Sequence, residues 1–95
     1  MSSSDAVHPP TFCYRLLASK GAGVAARVME YFAKRDLVPE RFLCRASAET
    51  LAIEVDVAAL DEAAARHIAR CLATIVEVER VAFTLETAEA LRARA

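Results

Sequence analysis

The sequence lacks three residue types altogether: asparagine, glutamine and tryptophan. Side-chain amides serve as oxyanion donors and positioning groups in many active sites, so their absence argues against several classes of enzyme. The 12 basic residues are offset by 13 acidic ones, so no positive excess remains to release counterions from a phosphate backbone. We therefore expect a protein that is not an enzyme and has no nucleic-acid partner.

Long apolar runs are also missing. No stretch approaches the ~20 apolar residues that span a bilayer. The first five residues, Met-Ser-Ser-Ser-Asp, lack the basic-then-apolar order of a signal peptide. These absences predict a cytoplasmic protein with no membrane partner.

Cysteine is scarce, odd in number and widely spaced, at positions 13, 44 and 71, which argues against a disulfide framework. We expect three buried thiols that pack as small hydrophobic groups. His67 lies four residues before Cys71 and could contact it on a helix. A zinc site would need two further ligands, and the only other histidine is at position 8. We predict no metal site and no cofactor.

The two glycines, Gly21 and Gly23, separate a strand-like segment at 11–17 from a helical pattern at 24–34. Glycine suits a tight strand-to-helix turn, because it permits a positive φ where a turn needs one. Pro39 ends the helix, because it disfavours helical geometry at the preceding residue.

Two segments, 41–46 and 51–57, flank a short turn and predict a hairpin in which Ser47 faces Thr50. The register pairs Arg41 with Asp56, Phe42 with Val55, Leu43 with Glu54, Cys44 with Ile53, Arg45 with Ala52, and Ala46 with Leu51. Apolar side chains then share one face, and a slip of one residue would bury the charged ones.

Asp61 is the predicted N-cap of a second helix that runs to about residue 74. Its predicted apolar stripe consists of Ala64, Ile68, Cys71, Leu72 and Ile75. A last strand follows at 79–85. The resulting β-α-β-β-α-β order predicts an α+β, ferredoxin-like two-layer sandwich, with a four-stranded antiparallel sheet and two helices on one face.

The ends of the chain differ from this body. Residues 1–10 indicate a flexible leader and residues 86–95 a polar C-terminal tail. A single domain therefore occupies residues 11–85, a usual size for one small domain.

Two functions that this fold supports elsewhere fit poorly. The segment 23–27 echoes the Gly-Val-x-x-Arg loop of acylphosphatases, but that family also needs an asparagine to position water. RNA-recognition modules expose stacking aromatic rings on the open face of the sheet. The predicted open face has no ring and carries the acids Glu54 and Asp56.

Over residues 11–81 the chain resembles the ACT domain, and especially the regulatory small subunit of acetolactate synthase. Residues 23–28 are similar to the family's Gly-Val-Leu-x-Arg-Val helix opening, and residues 32–37 to its Phe-x-x-Arg-Gly-Phe helix exit. The segments 51–57 and 72–81 match the third strand and the closing segment.

The resemblance implies a stand-alone, homodimeric regulatory module with no catalytic residue. A small amino acid would bind where the first loop and helix of one copy meet the second strand of another, with helix amides facing its carboxylate. The implied ligand-binding residues are Lys20, Gly21, Ala22, Gly23, Val24, Leu37 and Val38. The expected partner enzyme belongs to amino-acid metabolism, with the acetolactate synthase catalytic subunit as the first candidate.

Two positions depart from that family. Its subunits have an asparagine three residues before the loop glycine and another after the helix exit, where this chain has Lys20 and Val38. Two alternatives therefore stay open. Either a different ligand binds through backbone groups, or the chain is a ligand-free dimerisation and interaction module of the same fold.

Overall fold

The computed structural model describes residues 11–58 and 60–86. Within them the chain forms four strands and two helices in the predicted order. The elements are β1 (Thr11–Ser19), α1 (Val24–Ala33), β2 (Arg41–Ala46), β3 (Thr50–Ala58), α2 (Glu62–Leu72) and β4 (Val78–Glu86). The predicted leader at 1–10 lies outside the described residues. So does the predicted tail from 87 onward, whereas Glu86 ends β4.

The strands form one sheet in the order β2-β3-β1-β4, and every neighbouring pair is antiparallel. The first and third strands therefore lie at the centre. Alternate residues of these central strands pack with both helices in one buried cluster, which places the helices on a single face. The predicted ferredoxin-like sandwich is confirmed.

The hairpin of β2 and β3 has the predicted register, from Arg41 opposite Asp56 to Ala46 opposite Leu51. At its turn the Ser47 amide donates to the Thr50 carbonyl oxygen at 3.0 Å. The alternation of apolar and charged residues was sufficient to predict every pair.

Helix α1 buries Val24, Val28 and Phe32, one residue per turn on the side that faces the sheet. It ends in a Schellman motif, in which the Leu37 amide donates to the Phe32 carbonyl oxygen at 3.0 Å and the Asp36 amide to that of Ala33 at 2.9 Å. Asp36 has a φ of 60° and occupies the left-handed position that such an ending requires.

Helix α2 begins as predicted, with the Asp61 carboxylate accepting the Ala64 amide at 2.7 Å. The prediction for its apolar stripe was partly wrong. Ala65 is buried with Ile68 and Leu72, whereas the predicted Ala64 and Cys71 are only half-buried. Alanine and cysteine are small, so the sequence pattern set the rotation of this helix less firmly than larger side chains would have.

The core is organised around Tyr14, which is fully buried on β1. Its ring meets Phe32 edge to face at 5.3 Å and stacks on Phe83 at 5.7 Å, measured between ring centroids. Its hydroxyl donates to the Ala65 carbonyl oxygen at 2.9 Å. One side chain thereby joins β1 to both helices and to β4.

Candidate functional site

Residues 20–23 connect the end of β1 to the start of α1. Backbone hydrogen bonds hold this loop on two sides. The Ser19 amide donates to the Glu77 carbonyl oxygen at 2.8 Å, and the Lys20 amide donates to that of Glu49 at 3.1 Å. The loop is therefore anchored to the β2–β3 turn and to the connection between α2 and β4.

The glycines of this loop form the strand-to-helix turn without a positive φ at either position. Gly23 is the N-cap of α1, with φ of −97° and ψ of 2°. A Cβ at Gly23 would meet no heavy atom within 4 Å, whereas one at Gly21 would lie 3.2 Å from Cγ2 of Val24. The space beside Gly23 at the start of the helix is therefore open.

That helix end is suited to a carboxylate. No side chain caps α1 and no acidic residue lies in its first turn. The Val24 amide donates to the Gly21 carbonyl oxygen at 3.3 Å, which leaves the amides of Ala25 and Ala26 and the positive end of the helix dipole facing outward. Lys20 is exposed beside them. Arg27 hydrogen-bonds the Glu77 carboxylate, and this bond lowers the pKa of Glu77. The acid next to the loop is thus paired with Arg27, and this pairing favours its ionised form.

The last two predicted site residues lie at the other end of α1. Leu37 is half-buried against the core, and Val38 is 84% exposed. A ten-residue helix separates them from the loop, which corresponds to roughly 15 Å of rise. A single chain brings Lys20, Gly21, Ala22, Gly23 and Val24 together, but not these with Leu37 and Val38.

Sequence reasoning missed Glu77, which accepts the Ser19 amide and pairs with Arg27 beside the loop. Residue 77 is far from the loop in sequence. Only the strand order, which places β4 next to β1, brings it there. No local motif could have signalled this contact.

The cysteines differ from the prediction in two of three cases. Cys13 is buried as predicted, but Cys44 is exposed and Cys71 is half-buried. Cys44 lies on the edge strand β2, five of whose six residues are exposed. The Cys71 sulfur lies 3.6 Å from Nε2 of His67. The described residues contain no group of three or more metal-ligating side chains.

Neither α1 nor α2, the two helices of the described residues, is long and apolar enough to cross a bilayer.

A family model described as an ACT-like domain matches residues 7–91 of the chain. No curated protein matches the sequence. The ACT domain from GTP pyrophosphokinase of Chlorobium tepidum superposes with a TM-score of 0.70 at 11% identity, covering 78% of this chain and 96% of that one.

Two further structures extend the likeness. The C-terminal domain of the MgtC protein from Mycobacterium tuberculosis gives a TM-score of 0.67 at 12% identity, over 83% of this chain and 89% of that one. A homoserine dehydrogenase from Thiobacillus denitrificans gives 0.66 at 16% identity, over 84% of this chain but 18% of that one. At such identities the superpositions show a shared fold, and the family model carries the assignment.

Proposed function

Because this chain belongs to the ACT-like domain family, we propose that it is a homodimeric cytoplasmic regulatory module that binds a small amino acid between two copies. Its partner would be an enzyme of amino-acid metabolism, and acetolactate synthase is the first candidate. Membership of a family of regulatory, amino-acid-binding modules supports the coarse part of this proposal. The ligand, the dimer and the partner are the parts to be tested.

The separation of the site into two halves is the observation that carries the proposal. The loop half, Lys20 to Val24, lies at the start of α1, and Leu37 and Val38 lie past its end. A second copy in antiparallel orientation would place the loop half of one chain against the exit half of the other. The dimer, and not the single chain, would then form the complete site.

Exposed apolar side chains support such a pairing. Val76, 94% exposed, lies next to Glu77 beside the loop, and Val38 is 84% exposed at the opposite end. Single exposed apolar residues are common on protein surfaces. These two, however, flank the two halves of the site, where an antiparallel partner would cover both.

The charges of the two halves suit the two ends of an amino acid. Outward-facing amides and Lys20 would receive its carboxylate at the loop half. The exposed carboxylates of Asp36 and Glu40 and the negative end of the α1 dipole would favour its ammonium group. A ligand held across both copies stabilises one arrangement of the dimer, and that preference is what would alter an attached enzyme.

Ligand binding is tested by isothermal titration calorimetry of the full chain against the twenty amino acids, beginning with valine, leucine and isoleucine. Ala22→Glu adds a carboxylate at an exposed loop position, where it opposes the ligand's own carboxylate. We expect the dissociation constant to rise about tenfold or more, which corresponds to ~1.4 kcal/mol.

Ala63→Glu is the matched control, because Ala63 is exposed in the first turn of α2. This variant changes the net charge equally and should bind the amino acid as the unmodified chain does. If none of the twenty amino acids binds, the ligand-free dimerisation module becomes the better description. That alternative is favoured by Lys20 and Val38, which stand where the acetolactate synthase subunits have asparagines.

The partner is tested by adding the chain to the acetolactate synthase catalytic subunit of the same source. We expect the chain to change the turnover of that enzyme, and the bound amino acid to modulate the change. Unaltered turnover with and without the amino acid would exclude this partner, while ligand binding would stand on its own measurement.

A further inference from the structure

A cavity of about 430 Å³ lies on the sheet face opposite the helices, between β1 and β4. Its lining residues are Arg15, Leu17, Arg80, Val81 and Ala82. Arg15 is opposite Ala82, and Leu17 is opposite Arg80. These four side chains project from the same face, because alternate residues of a strand do so. The arginines therefore occupy diagonal corners of one patch.

The space arises from a small residue and an irregular register. Ala82 contributes no side-chain atom beyond Cβ, so the position opposite Arg15 is open. Next to this position along β1, the pairing of β1 with β4 shifts register between Leu17 and Ala18. Such a bulge increases the local twist and redirects side chains. The cavity is thus a product of the backbone as well as of side-chain size.

The two guanidinium groups are available to an anion. Among residues 11–58 and 60–86, the ion pairs of Arg15 are long ones, 3.9 Å to Glu54 and 4.0 Å to Glu86. Arg80 is exposed and forms no ion pair with any residue in the described part of the chain. Diagonal cross-strand neighbours are ~7–8 Å apart, a span across which both guanidinium groups can reach one carboxylate between them.

The floor of the cavity is apolar. Leu17 is half-buried and Ala82 is exposed, and both side chains are hydrocarbon. The volume is within the range of ~300–1,000 Å³ seen for small-molecule sites. An inorganic anion would leave this floor in water, whereas a short hydrocarbon chain would cover it.

We propose that this cavity binds a small organic carboxylate with a short apolar chain, its carboxylate between Arg15 and Arg80 and its chain on Leu17 and Ala82. The site lies on the opposite face of the sheet from α1, so it is separate from the amino-acid site proposed above. The chain would then respond to two ligands of different chemistry.

Sodium hexanoate is the probe, titrated into the full chain by calorimetry and followed by amide chemical shifts of β1 and β4. Acetate, hexan-1-ol and inorganic phosphate are titrated in parallel. We expect saturable hexanoate binding, weaker acetate and phosphate binding, and no saturable binding of the neutral alcohol. Phosphate binding as tight as that of hexanoate, or equal binding of the alcohol, would overturn the assigned chemistry.

Two variants test the position of the site. Arg80→Gln removes one charged hydrogen-bond donor and should weaken hexanoate binding about tenfold. Ala82→Leu fills the cavity with both arginines retained and should abolish binding. Both positions are exposed, so the fold is expected to persist, and circular dichroism confirms it for each variant.

Arg45→Gln and Ala63→Leu are the matched controls. Arg45 is exposed on the same sheet face but does not line the cavity, and Ala63 is exposed on α2. If Arg45→Gln weakened hexanoate binding as much as Arg80→Gln, the binding would depend on diffuse surface charge and the proposal would be overturned. Ala22→Glu should leave hexanoate binding unchanged, and Arg80→Gln should leave amino-acid binding unchanged. Failure of one proposal can therefore be distinguished from failure of the other.

Discussion

Tyr14 combines full burial with a hydrogen bond across the two layers of the fold. Burial raises the pKa of its hydroxyl from 10.0 to about 12, and the positive charge of Arg35 opposes this rise. The protonated hydroxyl donates to the Ala65 carbonyl oxygen, and ionisation would destroy that bond within an apolar cluster. The folded state therefore retains this proton more strongly than the unfolded state does.

The sign of the pH dependence follows. The folded pKa is above the unfolded one, so the stabilisation is fully present below pH 10 and is lost as the pH rises through about 12. We expect the free energy of unfolding, measured by urea titration at a series of pH values, to fall across this window by on the order of 2 kcal/mol.

Tyr14→Phe isolates this contribution. The variant should be less stable near neutral pH by about 1 kcal/mol, because a hydrogen bond is lost, but it should lack the fall due to Tyr14. Tyr31→Phe is the control, since Tyr31 is only half-buried, and it should keep that fall. A Tyr14→Phe curve as steep as that of the unmodified chain would refute this account.

At the scale of elements, the end of α1 has an aspartate, Asp36, at a position where a glycine is expected. The helix exit of the ACT family has glycine where this chain has Asp36, and Asp36 adopts the left-handed φ of 60°. Aspartate tolerates this region better than most residues, but a Cβ there still costs energy. The loop glycines permit a positive φ, but the positive φ is found at Asp36, at the other end of the helix.

We expect Asp36→Gly to stabilise the chain by about 0.5–1 kcal/mol, because glycine adopts this conformation without the steric penalty. Thermal unfolding should show a Tm higher by a few degrees. Ala26→Gly, at an exposed position within α1, is the control and should destabilise by about 1 kcal/mol. A lower Tm for Asp36→Gly would contradict the inferred strain.

The two hairpin strands and helix α2 show why some elements were predicted better than others. The β2–β3 register was predicted pair by pair, because a slip of one residue would have exchanged charged and apolar faces. In α2 the stripe was displaced to Ala65, because several alanines fit a buried or an exposed position almost equally well. The strength of the hydrophobic pattern, rather than the type of element, determined how accurately each element was predicted.

At the scale of the whole molecule, the two candidate sites depend on arrangements that a one-dimensional pattern does not contain. The loop and the helix exit were identified through family resemblance, and the structure shows that one chain separates them. The cavity beside Arg80 requires β4 to lie next to β1 with a shifted register. The predicted ferredoxin-like fold implies this strand neighbour, but no local motif encodes the bulge.

The proposed dimer makes stability depend on protein concentration. Because association stabilises only the folded chain, the Tm should rise as the concentration is increased. Sedimentation equilibrium should show a dimer that Val38→Asp weakens, since Val38 is 84% exposed at one half of the site. Ala63→Asp is the control and should remain dimeric. A Tm that does not depend on concentration, together with a monomeric mass, would exclude the proposed dimer.

The backbone at Gly23 has a consequence for how ligand preference can change. Its φ of −97° is accessible to L-amino acids other than proline, and a Cβ there would meet no heavy atom within 4 Å. A side chain introduced at this position would extend into open space at the start of α1 without distorting the turn, next to the proposed amino-acid site. Substitution of this one residue could therefore change which amino acid is preferred while the fold stays intact. Such changes could separate relatives or be selected in a library of Gly23 variants.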